Sequence, residues 1–430
     1  MKPDFKLVCL VPVLVFSQSK NLTLADCLRT AMERDPQIRA DSLSREAALL
    51  QEQGHKTVWM PSVNASLSYN RLSEVDPFTI KVGPTPTTIS PSISNQYAAS
   101  LRVDQLIWDG TRSRGLIAAT RHDQASFGSA KEKTRRDLSV RVAAAYWNLS
   151  AAQTAIRAAN TAIARADSQA NLTAISFRQG TALEQDTLQA RLRQRQIEIQ
   201  LEQALAARDF ALQTLCIAIG VPVAYDLQSV DPLKPLEAAP VSATVERPEL
   251  AQAREQILSA NAMASASRSS YHPLVQASAQ YDYLNPNQRI FPNHAEFDGT
   301  WRVGVAATWN LYRGGADDIS IRKAQLAVQQ ARQREAMLRD ALGQELSRRE
   351  TELRLARRKR EIAERNLPLA KRDLELANIR SQAGTALRLE AIDRASALAQ
   401  LESDLALAIA NENIAVMNLS IARGEEPRWK

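Results

Sequence analysis

The chain repeats itself, and the repeat limits what it can fold into. Asp35-Pro36-Gln37-Ile38 recurs as Arg247-Pro248-Glu249-Leu250, Met60-Pro61-Ser62-Val63 as His272-Pro273-Leu274-Val275, and Tyr69 as Tyr281, each pair 212 residues apart. Farther along the offset is 204. Tyr97 matches Trp301, Trp108-Asp109-Gly110 matches Tyr312-Arg313-Gly314, and Gly220 matches Gly424. The stretch Gly180-Thr181-Ala182-Leu183 likewise matches Gly384-Thr385-Ala386-Leu387. One length change of eight residues between Tyr69 and Tyr97 reconciles the two offsets. Residues 20–220 and 243–424 are therefore expected to be two copies of one structural unit. A linker at 221–242, with Pro222, Pro232, Pro235 and Pro240, joins them, and residues 425–430 form a short tail.

Each copy carries two segments whose side chains alternate with the period of a β-strand. Val63, Ala65, Leu67 and Tyr69 alternate with Ser62, Asn64, Ser66, Ser68 and Asn70, and Tyr97, Ala99, Leu101 and Val103 alternate with Ser100, Arg102 and Asp104. In the second copy Val275, Ala277, Ala279, Tyr281 and Tyr283 alternate with Gln276, Ser278, Gln280 and Asp282, and Trp301, Val303, Val305 and Ala307 with Arg302, Gly304 and Ala306. Strands are expected at about 62–71, 96–108, 274–284 and 300–312, each long enough to cross a bilayer at a tilt. Windows 59–108 and 271–312 hold 13 of the 22 aromatic residues. That concentration near strand ends suits interfacial girdles, although a soluble sheet with one buried face would alternate in the same way.

The rest of each copy is helical in pattern. No proline occurs from 92 to 221, and from 293 to 426 there is only Pro368. Leu138, Val142, Ala145, Leu149, Ala152, Ile156, Ala159, Ile163, Ala166, Ala170, Thr173 and Phe177 run at spacings of four and three. This is a coiled-coil seam in which large and small residues alternate. Long helical hairpins are expected at about 111–219, with its tip near 180, and 315–423, with its tip near 384. Glycine suits such tips because it adopts positive φ without strain.

Several functions are excluded. No run beyond the N-terminus reaches the ~18 apolar residues of a membrane-spanning helix. The net charge of +7 raises nucleic acid as a partner, but Arg348, Arg349, Arg357, Arg358, Lys359 and Arg360 are interleaved with Glu345, Glu350, Glu352 and Glu361, the pattern of a solvated helix face. His55, His122, His272 and His294 are scattered, without metal-ligand spacing, and no phosphate loop, nucleophile elbow or dinucleotide fingerprint occurs. No enzyme activity, cofactor or metal is expected. Residues 1–19 read as a signal peptide: Lys2 and Lys6, ten apolar residues from Leu7 to Phe16, then Ser17-Gln18-Ser19. Leu24-Ala25-Asp26 before Cys27 makes a poor lipoprotein box, and pairing of Cys27 with Cys216 stays open.

Two strand pairs cannot close a barrel alone, and lipid does not tolerate open sheet edges. Several copies must share one barrel, with the charged helices in water. Here the chain resembles the TolC-like outer membrane efflux proteins, through the doubled unit and two pairs of short motifs. These are Leu106-Ile107-Trp108-Asp109-Gly110 with Asn310-Leu311-Tyr312-Arg313-Gly314-Gly315, and Phe177-Arg178-Gln179-Gly180-Thr181 with Ser381-Gln382-Ala383-Gly384-Thr385. The resemblance implies a mixed membrane α/β fold, in which a homotrimer shares a 12-stranded outer-membrane β-barrel joined to a periplasmic α-helical barrel. It implies a passive conduit in a tripartite efflux or type I secretion system, working with a periplasmic adaptor and an inner-membrane pump. The partners are then a second and third copy, adaptor, pump and outer-membrane lipid, with no nucleic acid. A periplasmic adaptor and a coiled-coil scaffold are the rival readings.

The resemblance also implies site residues. Gly180, Thr181, Ala182 and Leu183, and Gly384, Thr385, Ala386 and Leu387, would meet the adaptor. Asp186, Glu390 and Asp393 would line the aperture, where crowded carboxylates attract cations. The alternative for Glu390 and Asp393 is pairing with Arg388 and Arg394 on a solvated face. A family arginine and tyrosine that latch the closed state correspond here to Ala386 and Ser381, with Arg388 as a possible substitute.

Overall fold

The computed structural model describes residues 20–426 apart from 83, 91, 224–226, 237–245 and 384–387. The signal segment and the second tip, Gly384 to Leu387, lie outside the described residues. Two compact units result. Unit 1 takes residues up to Ser42, Ser129–Leu250 and Leu338 onward, and unit 2 takes Leu43–Gly128 and Ala251–Met337. Each unit thus draws on both halves of the sequence.

Unit 2 is built on a four-stranded antiparallel sheet in the order β2-β5-β7-β8, from β2 (Ser62–Arg71), β5 (Asn95–Trp108), β7 (Leu274–Asn285) and β8 (Asp298–Thr308). These strands cover the four alternating segments. β8 ends at Thr308 rather than near 312, because its partner β7 begins opposite at Leu274 and leaves Trp309 to Tyr312 without a ladder. The stretch between β2 and β5 holds a small hairpin, β3 (Phe78–Val82) with β4 (Thr85–Ser90). Its prolines argue against a strand, yet Pro86 sits in a two-stranded ribbon, where one missing donor is tolerated. Helices join the sheet in this unit: most of α2 (Pro36–Thr57) and α5 (Pro248–Ser267), and the first turns of α3 (Arg112–Arg178) and α6 (Ala316–Gln382). Glu52 of α2 accepts from Arg121 Nε (2.9 Å) and Gln124 Nε2 (2.9 Å) of α3. With Lys56 at 2.7 Å, these hydrogen bonds hold its carboxyl well below the usual range, at about 2.

Unit 1 is helical. It contains α1 (Leu24–Arg34), the larger parts of α3 (Arg112–Arg178) and α6 (Ala316–Gln382), and all of α4 (Glu184–Ile219) and α7 (Arg388–Ala422). At 67 residues, α3 and α6 are each about 100 Å long. Most of the α3 seam is where the heptad places it: Leu138, Val142, Ala145, Leu149, Ala152, Ala159, Ala166, Ala170 and Thr173 are buried and Ile156 and Ile163 half-buried, but Phe177, in the last turn before the tip, is exposed. Alanine every seventh residue lets the neighbouring helix approach closely. One expectation needs correcting: α7, from Leu389 to Ala422, is apolar enough by length and composition to cross a membrane. Its alanines make it so, and half of that window is buried within the chain.

A parallel pair, β1 (Lys20–Leu22) with β6 (Leu227–Ser229), ties the chain's start to the linker. Tyr146 on α3, fully buried, donates its hydroxyl proton to Leu22 O (3.1 Å) or Asp231 Oδ2 (2.9 Å) and accepts from Asp231 N (3.2 Å). Asn413 of α7 bonds the linker backbone at Leu236 N and Lys234 O.

Candidate functional site

The sheet of unit 2 has two chemically different faces. Register sets Val63 against Val103, Leu67 against Ala99, Leu101 against Tyr281, Tyr281 against Trp301 and Ala279 against Val303. This face is apolar from edge to edge, and Leu67, Val63, Trp301, Val303 and Val305 stand exposed on it. The opposite face is polar and cross-linked. Arg102 Nε donates to both oxygens of Asp104 (2.8 and 2.9 Å), and Ser100 Oγ and Gln280 Nε2 both donate to Asp282 (2.6 Å each). Arg302 Nε donates to Gln280 Oε1 at 3.2 Å. Exposed aliphatic and aromatic residues on one face and a charged network on the other belong to a sheet between lipid and water. Aromatic rings gather at one end: Tyr69 on Tyr97 at 5.0 Å, Tyr97 on Phe297 at 5.8 Å and Phe297 on Tyr283 at 5.1 Å between centroids.

The first hairpin tip lies in unit 1. Gly180 has φ +72°, and Thr181 donates from both its N–H (2.9 Å) and its hydroxyl (3.0 Å) to Ser176 O, which closes the end of α3. Leu183 then precedes α4, and Asp186 accepts its N–H at 3.1 Å. A carboxylate at a helix N-terminus satisfies an otherwise orphaned donor and opposes the helix dipole. Asp186 therefore has a structural task that its place in the sequence did not announce. Gly180, Thr181, Ala182 and Leu183 form a short, largely exposed turn.

Near the second tip the carboxylates are partnered. Arg193 Nε on α4 lies 3.1 Å from Asp393 on α7, and Arg394 Nε lies 3.2 Å from Asp373 on α6. Glu390 is 4.0 Å from Arg394. Arg394 is one of the two partners expected from the sequence, the side chain of the other, Arg388, lies outside the described residues, and Arg193 and Asp373 were not expected. No local spacing links them to Asp393 or Arg394, because both pairs join different helices.

Cys27 and Cys216 are buried free thiols. Burial, with Asp26, Asp231 and Cys216 nearby, pushes the Cys27 thiol up to about 12. Among the described residues no group of histidine, cysteine and carboxylate side chains could hold a metal ion.

This arrangement has close structural counterparts. VceC of Vibrio cholerae superposes with a TM-score of 0.76 at 16% identity, over 94% of this chain and 97% of that one. The open-state MtrE channel of Neisseria gonorrhoeae gives 0.76 at 17%, over 94% and 89%. The fold is that of the TolC-like outer-membrane channels. The sequence profile of the outer membrane efflux protein family matches residues 27–221 and 239–425, and the chain belongs to that family. It is a family of outer-membrane efflux channels, which are not enzymes. Among characterised relatives, the toluene efflux pump outer membrane protein TtgC of Pseudomonas putida is 24% identical over 331 residues, 72% of this chain and 66% of its own length. The antibiotic efflux pump outer membrane protein ArpC of Pseudomonas putida is 24% identical over 330 residues with the same coverage. The chain spans about two thirds of the length of these relatives.

Proposed function

We infer that this chain is the channel subunit of a tripartite efflux or type I secretion system in the outer membrane. The observation that carries the reading is the four-stranded sheet, apolar on one face, polar on the other, with β2 and β8 as unpaired edges. In hydrocarbon an unpaired edge leaves a row of backbone donors and acceptors unsatisfied, so only a closed barrel is stable. A cyclic trimer that sets β8 of one copy beside β2 of the next closes twelve strands, as the family resemblance implies. The polar network of Arg102, Asp104, Asp282 and Arg302 then faces the lumen, and the helices form a periplasmic barrel. The chain conducts passively, with energy and selectivity supplied by an inner-membrane pump through a periplasmic adaptor. The adaptor meets the tips at Gly180 to Leu183 and Gly384 to Leu387. Asp186, Glu390 and Asp393 border the aperture. Small organic molecules are the first cargo to test, because two relatives carry toluene and antibiotic efflux in their names.

The test is single-channel conductance of the detergent-purified protein in a planar bilayer, beside a Glu390→Ala, Asp393→Ala variant. Stable unitary steps that lose cation preference in the variant support pore and aperture together. Steps unchanged in the variant keep the channel and remove those two residues from its aperture. No steps from folded, trimeric protein would count against an open conduit and favour a sealed one.

A further inference from the structure

The helices of unit 1 carry apolar surface that the chain itself leaves uncovered. On α4, Ala190, Ile197 and Ala211 face inward and are buried. Two residues farther round run Leu192 (59% exposed), Ile199 (58%) and Ala206, with Phe210 (72%) and Ile217 continuing the stripe. α6 repeats the design. Leu353, Leu367 and Leu374 face inward, while Leu355, Ile362, Leu369 (69% exposed) and Leu376 form a second stripe. α7 exposes one large apolar residue among those described, Leu407. On α4 and α6 the two stripes lie roughly 130–160° apart at 100° per residue. A four-helix bundle sets a helix's two neighbours about 90° apart, whereas a twelve-helix ring sets them about 150° apart. These are helices built for a ring wall.

We propose that α4 of one copy docks on α6 of the next, so that Glu202 meets Arg365 and Asp209 meets Arg358 of the second copy. This rests on the channel assembly inferred above. The register follows from contacts inside one chain. Arg193 of α4 meets Asp393 of α7, and Arg394, the next residue, meets Asp373 of α6, so residue 193 is level with residue 373 to within a helical turn. α4 and α6 run in opposite directions, since α4 starts after one tip and α6 ends at the other. A cyclic axis along the helices keeps all copies at one height. Nine residues up α4 is Glu202, and nine back along α6 is residue 364, beside Arg365. Sixteen residues bring Asp209 level with residue 357, beside Arg358.

Glu202 and Asp209 flank the α4 stripe on one side, and Arg358 and Arg365 flank the α6 stripe on the same side. Antiparallel helices bring like flanks together, so acid faces base. Glu202 and Arg365 have no ion-pair partner among the described residues of their own chain, whereas Asp209 and Arg358 each hold a neighbour on their own helix, Arg208 at 3.2 Å and Glu361 at 3.4 Å, so the first pair is the one the test addresses. Nearer the tip Arg195 and Arg372 occupy these flanks, each already holding its own glutamate, Glu198 at 2.6 Å and Glu375 at 2.7 Å. The interface is heterologous: two different stripes on each copy, each complementary to the other.

The experiment is oxidative cross-linking of the full-length trimer in detergent, carrying Glu202→Cys with Arg365→Cys. The control carries Glu202→Cys with Glu364→Cys, whose second cysteine sits at the same height on another face. Cross-linked trimer as the main product, absent from the control and from the unmodified chain, is the expected result. A trimer by native mass that gives no cross-link overturns the α4–α6 pairing and leaves the channel reading standing. Monomer by native mass overturns both. As a second measure, Arg365→Glu is expected to lower the temperature at which the trimer dissociates, and adding Glu202→Arg to restore it. A double variant no better than the single would also overturn the pairing.

Discussion

Arg193 on α4 places its guanidinium 3.1 Å from the carboxylate of Asp393 on α7, and so joins the return helices of the two hairpins. Both side chains are nearly half exposed. The carboxylate proposed above to border the aperture is therefore partly neutralised by a residue from the other half of the sequence. An exposed pair of this kind adds only about 0–1 kcal/mol to stability, so its larger effect is on the local field.

Arg193→Gln is expected to leave the thermal midpoint of the folded protein nearly unchanged and to raise cation preference, measured as reversal potential under a salt gradient. Freed of its partner, Asp393 presents a full negative charge. An unchanged reversal potential would mean that permeating ions do not sense Asp393.

Tyr146→Phe is expected to destabilise unit 1 by about 1–3 kcal/mol, because Leu22 O and the Asp231 backbone N–H lose a buried partner. Asp231 Oδ2 also accepts from Leu24 N at 2.8 Å, so the same change loosens the start of α1. Thermal unfolding followed by circular dichroism measures the loss. Proteolysis near residue 22 should quicken in step.

The Glu52 carboxyl sits at about 2 against an ordinary value of 4.5, held down first by Lys56, then Gln124 and Arg121. A depressed carboxylate stabilises the fold above its unfolded value and loses that contribution as pH falls. Acid titration should therefore weaken the α2–α3 connection between about pH 4.5 and pH 2, and Glu52→Gln should flatten that part of the curve. Hydrogen exchange in α2 as a function of pH reads it directly.

Gly110, in the corner from β5 to α3, has φ +66°, and a Cβ there would stand 2.7 Å from Cβ of His272. Gly110→Ala should cost about 1–2 kcal/mol through the backbone alone, and more through the displaced His272. Thr111 already holds φ +75°, so the corner carries strain next to this position. The expected readout is a lower unfolding temperature and a reduced yield of folded protein.

Much of the fold was legible because its signals are local. The alternation of Val63, Ala65, Leu67 and Tyr69 needs only a pleated backbone to become a face, and the Leu138-to-Thr173 heptad needs only a helix to become a seam. The hairpin β3–β4 escaped because Pro84 and Pro86 speak against strands one residue at a time, while pairing is decided across the turn. The three-residue strands β1 and β6 escaped because each is too short to show a period and they lie more than 200 residues apart.

The candidate site divides in the same way. Gly180 as a turn and the carboxylates near the tips follow from residue type and position. The sequence itself determined that its motifs recur in one order in both halves and that it builds amphipathic strands and very long helices. Only tertiary structure decided which charges meet. It gave Asp393 to Arg193, Asp373 to Arg394, Glu52 to Arg121, and made Asp186 a helix cap. It also grouped parts of both sequence halves into each compact unit. The reason is physical: periodicity is a property of neighbours along one backbone, whereas an ion pair between helices depends on the height and rotation at which two backbones pack.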